Sequence, residues 1–209
     1  MICKSYLSIL AIAALFGAGS GTPLQAQDAD SDSDGIPDTA EVLLGTDPQA
    51  ADTDGDGHND LADAEATFSG NPIVATGALA PFVINEALVE NNYDFATNAA
   101  VSDHLELLIT NPSKTALTGW QIYYSITDAD TGKAEATFRA LDGFSLPAGG
   151  EARLHFDDGA IAGHFRANPN GIYVTSQAAK TIDVTLAAAG FAPMTIKIAK
   201  DKGGPEEAD

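Results

Sequence analysis

Residues 120–126, with the sequence WQIYYSI, alternate between apolar and more polar side chains. Alternation with a period of two is typical of a β-strand that buries one of its faces. Asn111-Pro112-Ser113 precedes this stretch and Asp130-Thr131-Gly132 follows it, and both are turn sequences. The stretch therefore predicts a half-buried strand between two turns.

Further stretches of this kind lie on both sides of it. Short alternating segments separated by turn residues, with no helix of useful length among them, predict a mainly β chain. The expected fold is an antiparallel β-sandwich of the immunoglobulin-like type, not a parallel α/β sheet. The predicted strands are residues 82–89, 104–111, 117–127, 134–139, 151–156, 171–176, 181–187 and 193–199.

Two acidic stretches precede the strands: loop 1, DSDSDGIPDTAE from Asp30, and loop 2, DTDGDGHNDLAD from Asp52. Each has glycine at its sixth position, where a calcium-binding loop turns sharply. Oxygens at positions 1, 3, 5, 7, 9 and 12 can surround one calcium ion. A solvated acidic tract is the alternative, but two copies with glycine in register favour calcium. The predicted ligands are Asp30, Asp32, Asp34, Ile36 through its carbonyl, Asp38, Glu41, Asp52, Asp54, Asp56, His58, Asp60 and Asp63.

The spacing of the two loops excludes a pair of complete EF-hands. Only ten residues separate Glu41 from Asp52, which is too few for two helices and a connector. The sequence predicts one short helix over residues 38–44, ended by Gly45 in a C-terminal cap. A similar turn of helix is expected over residues 61–68.

Charge is distributed unevenly along the chain. The net charge is −20, and no Lys or Arg occurs between Lys4 and Lys114. A chain without a cluster of cations repels nucleic acid and anionic lipid surfaces. Nucleic acid is therefore excluded as an expected partner, and calcium ions are the expected ligands.

The first 26 residues have the pattern of a signal peptide. Lys4 precedes an apolar run over residues 7–16, and residues 24–26 offer a cleavage site. The run is shorter than the about 20 residues that span a bilayer. We expect a secreted, extracellular or periplasmic protein with no membrane span after signal removal, and no cysteine, since Cys3 is removed.

These patterns divide the chain into five parts. Residues 1–26 are the signal peptide and residues 27–66 form an acidic calcium-binding module. Residues 67–81, rich in glycine and proline, are the predicted linker to a sandwich at residues 82–200. Residues 201–209 are an acidic tail.

The acidic module resembles the bacterial thrombospondin type 3 repeats. The resemblance rests on DSDGIPD at residues 32–38, GTDP at 45–48 and DTDGDG at 52–57. It covers about 40 residues and implies extracellular calcium binding in a spacer or stalk, without catalysis. Dockerin modules share paired loops, but their helices are longer and their repeats farther apart.

The predicted sandwich is similar to the lamin-tail domain, an immunoglobulin-like fold. The matching segments are VINE at residues 83–86, LEL through NPS at 105–113, LTGW at 117–120 and LPAGG at 146–150. A strand with two tyrosines and a His- and Asn-rich segment at 155–170 depart from that family. The resemblance implies a binding or spacer module.

One cluster in the sandwich has residue types that bind metals or act in catalysis: His155, Asp157, Asp158 and His164. A strand-end histidine followed by a polar turn explains it more simply. No motif of a nucleophile, zinc protease or phosphate loop occurs in the chain. The sequence thus favours a non-enzymatic calcium-binding protein that serves as a structural or interaction module, with an extracellular protein or polysaccharide as partner. The alternatives are a dockerin-like docking module and a metal-dependent enzyme that uses His155, Asp157 and His164.

Overall fold

The computed structural model describes residues 28–89, 93–94, 99–100, 105–157, 159 and 163–202. The predicted signal peptide and the end of the predicted acidic tail lie outside these residues. In the described part, no helix is long and apolar enough to cross a membrane. The strands are β1 Val83–Leu88, β2 Tyr93–Asp94, β3 Ala99–Ala100, β4 Leu105–Thr110, β5 Gln121–Asp128, β6 Ala134–Ala140, β7 Glu151–Asp157, β8 His164–Arg166, β9 Lys180–Ala187 and β10 Met194–Lys200.

Two four-stranded sheets enclose the core. Their strand orders are β1-β4-β7-β8 and β10-β9-β5-β6, while β2 and β3 form a separate pair. The mainly β character predicted from the sequence is confirmed. Every pairing in the two sheets is antiparallel, as expected, except that of β7 with β8, which is parallel and departs from the prediction.

Alternate residues of neighbouring strands in each sheet form the core. Leu107 of β4 lies opposite Leu154 of β7, and Tyr124 of β5 lies opposite Val184 of β9. The Tyr124 and Phe156 rings meet across the two sheets with their centroids 5.6 Å apart. The largest wholly buried residues of this core are Trp120, Phe82, Phe156, Leu105, Leu107, Ile109, Ile122, Leu146, Leu154, Ile182 and Leu186.

Trp120 closes one end of this core. Its ring packs edge-on against Phe82 at 4.7 Å and against Phe144 at 5.6 Å between centroids. Its indole N–H donates to the carbonyl of Leu117 at 3.2 Å, so the only polar atom of the side chain is satisfied. Tyr123, the next aromatic residue, faces the other side of the sheet and donates to the carbonyl of Ser69.

The segment predicted as strand 171–176 is instead a short helix, α2, Ile172–Thr175. Ile172 and Tyr173 are adjacent in sequence and both are buried, which one face of a strand does not allow. The Ile172 N–H donates to the Glu135 carboxylate at 2.7 Å and so begins the helix. The strand prediction is wrong because an apolar run alone does not distinguish a short helix from a strand.

Two helical segments lie in the acidic module. The first, α1, runs from Asp38 to Leu44 and ends at Gly45, whose φ is +84° and whose N–H donates to the carbonyl of Glu41. This agrees with the predicted bounds and cap. The second is only a single 3₁₀ turn, Asp60–Ala62, so the helix expected over residues 61–68 is wrong. Residues after Ala62 form turns and then meet strand β6.

The acidic module and the segment that follows it cover the edge strand β6. The Ala136 N–H donates to the carbonyl of Thr67, and the Ser69 N–H donates to the carbonyl of Ala136, each at 3.0 Å. In the same strand the Phe138 N–H donates to the carbonyl of Asp54 in loop 2 at 2.7 Å. Ala78 bridges to Phe191 at the far end of the predicted linker. Residues 67–81 therefore contact the sheets, while the proposed domain boundaries stay predictions.

We predict that Gly55→Ala breaks this docking. A Cβ atom on Gly55 would lie 2.0 Å from the carbonyl oxygen of Phe138, whereas one on Gly57 would meet nothing within 4 Å. Both glycines have positive φ, +78° and +97°, so Gly57→Ala is a matched control for backbone strain. Urea unfolding should show Gly55→Ala to be less stable than Gly57→Ala by about 1–3 kcal/mol, the usual cost of overpacking. Equal losses would contradict the docking described here.

Candidate metal centre

The two acidic loops are conformational copies of each other, 22 residues apart. In loop 1 the Asp38 carboxylate accepts from both the N–H and the hydroxyl of Ser31 at 2.7 Å. In loop 2 the Asp60 carboxylate accepts from the N–H and the hydroxyl of Thr53 at 2.8 and 2.6 Å. The ninth-position acids thus close the loops by hydrogen bonds to the second residue.

The same turns recur inside each loop. The sixth-position glycine donates its N–H to the first acid, Gly35 to Asp30 at 3.3 Å and Gly57 to Asp52 at 2.9 Å. The fifth residue donates to the third, and the seventh donates to the fifth, at 2.6–3.1 Å in both loops. Asp side chains commonly form such local turns with N–H groups two residues on. These bonds aim the carboxylates of positions 1, 3 and 5 at one point.

Three groups of carboxylates result. In each group, one oxygen from every member lies within 4.8 Å of the others. Oxygens on opposite sides of one calcium ion are separated by about 5 Å, since each lies 2.3–2.6 Å from the ion. The groups are Asp30, Asp32 and Asp34; Asp34, Glu41 and Asp60; and Asp52, Asp54 and Asp56.

The middle group joins the two loops. Asp34 and Glu41 come from loop 1, while Asp60 comes from loop 2. All three are buried, and Asp34 also belongs to the first group. A carboxylate has two oxygens, so Asp34 has the capacity to serve two neighbouring cations. Assigning each acid to its own loop does not predict this cross-loop group.

Five carboxylate oxygens in these groups are buried without a hydrogen-bond partner among the described residues. A buried polar atom without a partner is costly, and a buried charge without one costs more. The other oxygen of each of these carboxylates accepts a hydrogen bond within the module, but the module has no Lys or Arg to offset the charge. A bound cation would satisfy the five oxygens without partners. They are Asp30 Oδ1, Asp32 Oδ2, Asp34 Oδ2, Glu41 Oε2 and Asp54 Oδ2.

Burial without a countercharge shifts the acids toward the protonated form. Burial, followed by repulsion from Asp32 and Asp34, raises the pKa of Glu41 from 4.5 to about 7. Burial raises the pKa of Asp54 to about 6, although the N–H of Asp56 opposes this shift. Burial likewise raises the pKa of Asp32 and of Asp60. A cation in these groups would reverse the shifts, because only ionised carboxylates bind it.

The remaining predicted ligands lie outside the three groups. Asp63, at the twelfth position of loop 2, accepts from the N–H of Glu65 at 2.9 Å. The side chain of His58 is largely exposed and its Nδ1 lies 3.0 Å from Asp56 Oδ1. The Asp38 carboxylate accepts two hydrogen bonds from Ser31. Ile36 is buried, and its N–H donates to the Asp34 carboxylate. Loop 2 therefore has no buried twelfth-position acid corresponding to Glu41.

Sequence analysis did not identify Asp47, which anchors the connector between the loops to the sandwich. The Asp47 carboxylate is wholly buried and accepts two bonds from the Arg166 guanidinium. Asn168 and Asn170 donate to the carbonyls of Gly45 and Thr46 at 2.6 and 2.7 Å. The GTDP sequence at residues 45–48 marked this segment as distinctive. The residues that bind it lie about 120 positions later in the chain, so the sequence did not reveal the contact.

The histidine cluster of the sandwich has a different geometry. The parallel β7–β8 pairing places His155 beside His164, with ring centroids 4.4 Å apart and planes 7° from parallel. Asp157 pairs with His164 Nδ1, and Glu106 lies 3.6 Å from His155 Nδ1. Stacked rings direct their lone pairs in parallel, so they do not converge on one ion. Asp158 lies outside the described residues, and within them no three-ligand group forms here.

Comparisons with known proteins leave the family open. No protein-family model and no curated protein sequence matches the chain. The X-ray structure of a Northeast Structural Genomics Consortium target is 11% identical with a TM-score of 0.36, covering 59% of this chain and 88% of that one. A Pseudomonas fluorescens alkylpurine DNA glycosylase bound to abasic-site DNA is 17% identical with a TM-score of 0.25, covering 46% of this chain and 24% of that one. Likenesses this weak carry no argument about fold or function.

The raised pKa of Glu41 predicts how stability depends on pH when metal is absent. Because the folded-state pKa exceeds the unfolded one, the stabilising contribution of Glu41 is full below about pH 4.5 and is lost as pH rises through about 7. In chelator, the unfolding temperature of Glu41→Gln should therefore fall less between pH 5 and 8 than that of the wild type. Calorimetry at several pH values measures this difference.

Glu65→Gln is the matched control, since Glu65 is an exposed acid of the same module. It should keep the wild-type dependence on pH. A Glu41→Gln profile parallel to that of the wild type would show that Glu41 is not the group responsible.

Proposed function

We propose that this chain is a secreted calcium-binding protein that acts as a non-catalytic structural or interaction module. The observation that carries the proposal is the set of five buried carboxylate oxygens without partners. These oxygens lie in two loops that share the same hydrogen-bond pattern. Because the pattern is repeated, a chance arrangement does not explain it. The absence of Lys and Arg from residues 28–66 means that this module has no cationic side chain to neutralise them.

Calcium fits these groups better than other cations. Every donor in them is a carboxylate oxygen, and hard oxygen donors favour calcium, magnesium or manganese over zinc and copper. Magnesium holds opposite oxygens about 4.2 Å apart in a strict octahedron and keeps several waters. Each group brings three carboxylates together, which suits calcium with its 6–8 oxygen ligands better than magnesium, which is usually bound by one or two carboxylates.

Bound calcium would act here as a structural link. At the cross-loop group it would hold Glu41 of α1 and Asp34 of loop 1 against Asp60 of loop 2. Loop 2 contacts β6, and the connector contacts Arg166 at the end of β8. Calcium would therefore stiffen the module and hold it on the sandwich. This role agrees with the resemblance to thrombospondin type 3 repeats.

The assignment of the sandwich also belongs to the proposal. Two four-stranded sheets with Trp120 in a shared core support an immunoglobulin-like, lamin-tail-type domain. The parallel β7–β8 pair departs from that pattern. The stacked rings of His155 and His164 do not form a metal chelate, so they give an enzymatic role no support. The proposed function is accordingly that of a spacer or binding module.

Calorimetric titration tests the calcium sites. We expect at least two ions per chain, with dissociation constants of about 10⁻⁴–10⁻³ M or tighter. Asp34→Asn and Asp54→Asn should each remove at least one ion, because each takes a buried ligand oxygen from a group. Asp28→Asn is the matched control: Asp28 is an exposed acid of the same module that belongs to no group. No calcium heat at millimolar concentration would overturn the proposal.

Limited proteolysis tests the structural role. Trypsin is unsuitable, because no Lys or Arg lies between Lys4 and Lys114. A Glu-specific serine protease has sites at Glu41 and Glu65, and it works in chelator. We expect cleavage at these sites to accelerate when calcium is removed, leaving the sandwich as a folded fragment, because calcium binds only the folded module. Unchanged resistance in chelator, or collapse of the whole chain in one transition, would contradict the expected division of stability.

A further inference from the structure

Helix α1 shows the reverse of the usual amphipathic pattern. The one residue that it buries is Glu41, which faces the cross-loop group. Its aliphatic residues face solvent: Val42, Leu43 and Leu44 are 60, 87 and 58% exposed. A surface helix normally packs its apolar side chains against the core. In α1, the acid has taken the inward position and the apolar residues are left outside.

A fourth exposed aliphatic side chain, Leu61, lies in loop 2 and covers Gly35 of loop 1. Leu61 is 65% exposed, and its Cδ2 lies 2.8 Å from the position of a Cβ on Gly35. Leu61 directly follows Asp60, and Val42 directly follows Glu41, whose carboxylates approach within 4.8 Å. We call the three consecutive exposed residues of α1, Val42, Leu43 and Leu44, the apolar patch. Single exposed aliphatic residues are ordinary, whereas a cluster on so small a module marks an interaction site.

The charge around the patch restricts its partner. The module from Asp28 to Ala66 contains thirteen Asp and Glu residues and no Lys or Arg. Three bound calcium ions would leave an excess of negative charge. Complementary potentials favour a partner that brings positive charge, and like charges facing each other disfavour binding. A second copy of this module and an anionic membrane are both disfavoured on this ground.

We propose that the apolar patch docks an extracellular protein whose contact face combines apolar side chains with Lys or Arg. The inference rests on the proposed calcium function, because a cation at Asp34, Glu41 and Asp60 would hold α1 in place against loop 2. Without the cation, repulsion among these three carboxylates opposes that arrangement. Docking is therefore calcium-dependent, and its affinity comes from the aliphatic contacts while its selectivity comes from charge.

A defined peptide provides the test. The probe is a fluorescent synthetic helix with leucine on one face and lysine on the other, added to the full chain in calcium or in chelator. Two comparison peptides keep one property each: lysine with serine in place of leucine, and leucine with glutamate in place of lysine. We expect binding of the leucine–lysine peptide alone, in calcium, measured by fluorescence anisotropy at physiological salt.

Leu43→Gln is the decisive variant. It should weaken binding roughly tenfold, the loss expected when one buried leucine contact is removed. It should leave the fold unchanged, since Leu43 is 87% exposed. Leu79→Gln is the matched control, because Leu79 is 89% exposed and lies outside the module. Equal weakening by both variants, or equal binding of the lysine–serine peptide, would overturn the inference.

Other occupants of the patch give distinct results. A concentration-dependent dimer in sedimentation that Leu43→Gln abolishes would identify a second copy as the occupant and overturn the inference. Binding to zwitterionic vesicles that the same variant abolishes would identify a lipid surface and also overturn it.

Calcium calorimetry separates this inference from the proposed function. Leu43→Gln should bind calcium as the wild type does. Calcium binding without peptide binding overturns the docking surface alone. Peptide binding that persists in chelator, in a chain that takes up no calcium, would overturn the calcium function and the calcium dependence of docking together.

Discussion

The buried carboxyl group of Glu41 constrains the whole N-terminal module. It lies inside a segment without Lys or Arg, beside Asp34 and Asp60, and one of its oxygens lacks a partner among the described residues. Only protonation or a cation relieves such a group. Without a cation, the pKa of Glu41 is raised to about 7, which favours its protonated form. In the proposed function, a calcium ion binds the ionised carboxylate instead. Under the proposed calcium function, the arrangement of the short helix and both loops depends on whether Glu41 is protonated or bound to the cation.

The constraint extends from the module to the sheets. The Asp54 carbonyl of loop 2 accepts from the Phe138 N–H of β6, the segment after loop 2 pairs with the same strand, and the Asp47 carboxylate accepts from the Arg166 guanidinium. Exposed strand edges invite pairing with other chains unless they are covered. The module covers one edge of the β10-β9-β5-β6 sheet, so its structure and the protection of that edge are coupled. Calcium bound in the loops would then affect a surface beyond the loops themselves.

Local patterns predicted local structure well. Alternation identified β1, β4, β5, β6, β7, β9 and β10 to within four residues at each end, and Gly45 ended α1 at the predicted place. Strand β8 was missed because three residues are too few to show a period. The helix α2 was mistaken for a strand because its start depends on Glu135, 37 residues earlier. Helix 61–68 failed because residues 67–69 pair with β6 instead.

The candidate site shows the same division. Loop spacing identified every acid of the three groups, because each loop is built by bonds between residues at most seven positions apart. The cross-loop group and the Asp47–Arg166 pair depend on how separate segments meet, which no local spacing encodes. Loop 2 also lacks a buried counterpart of Glu41, although its sequence supplies Asp63 at that position. The equal spacing of acids in the two loops therefore does not give an equally buried acid at the twelfth position.

The long reach of the connector has a consequence for the order of folding. Gly45, Thr46 and Asp47 bind residues 119 to 124 positions later in the chain. Contacts of such separation form late, because closing a long loop costs entropy before any contact repays it. The acidic segment is synthesised before the residues that bind its connector. Until those residues are in place and a cation is bound, repulsion among its carboxylates opposes a compact arrangement of the segment.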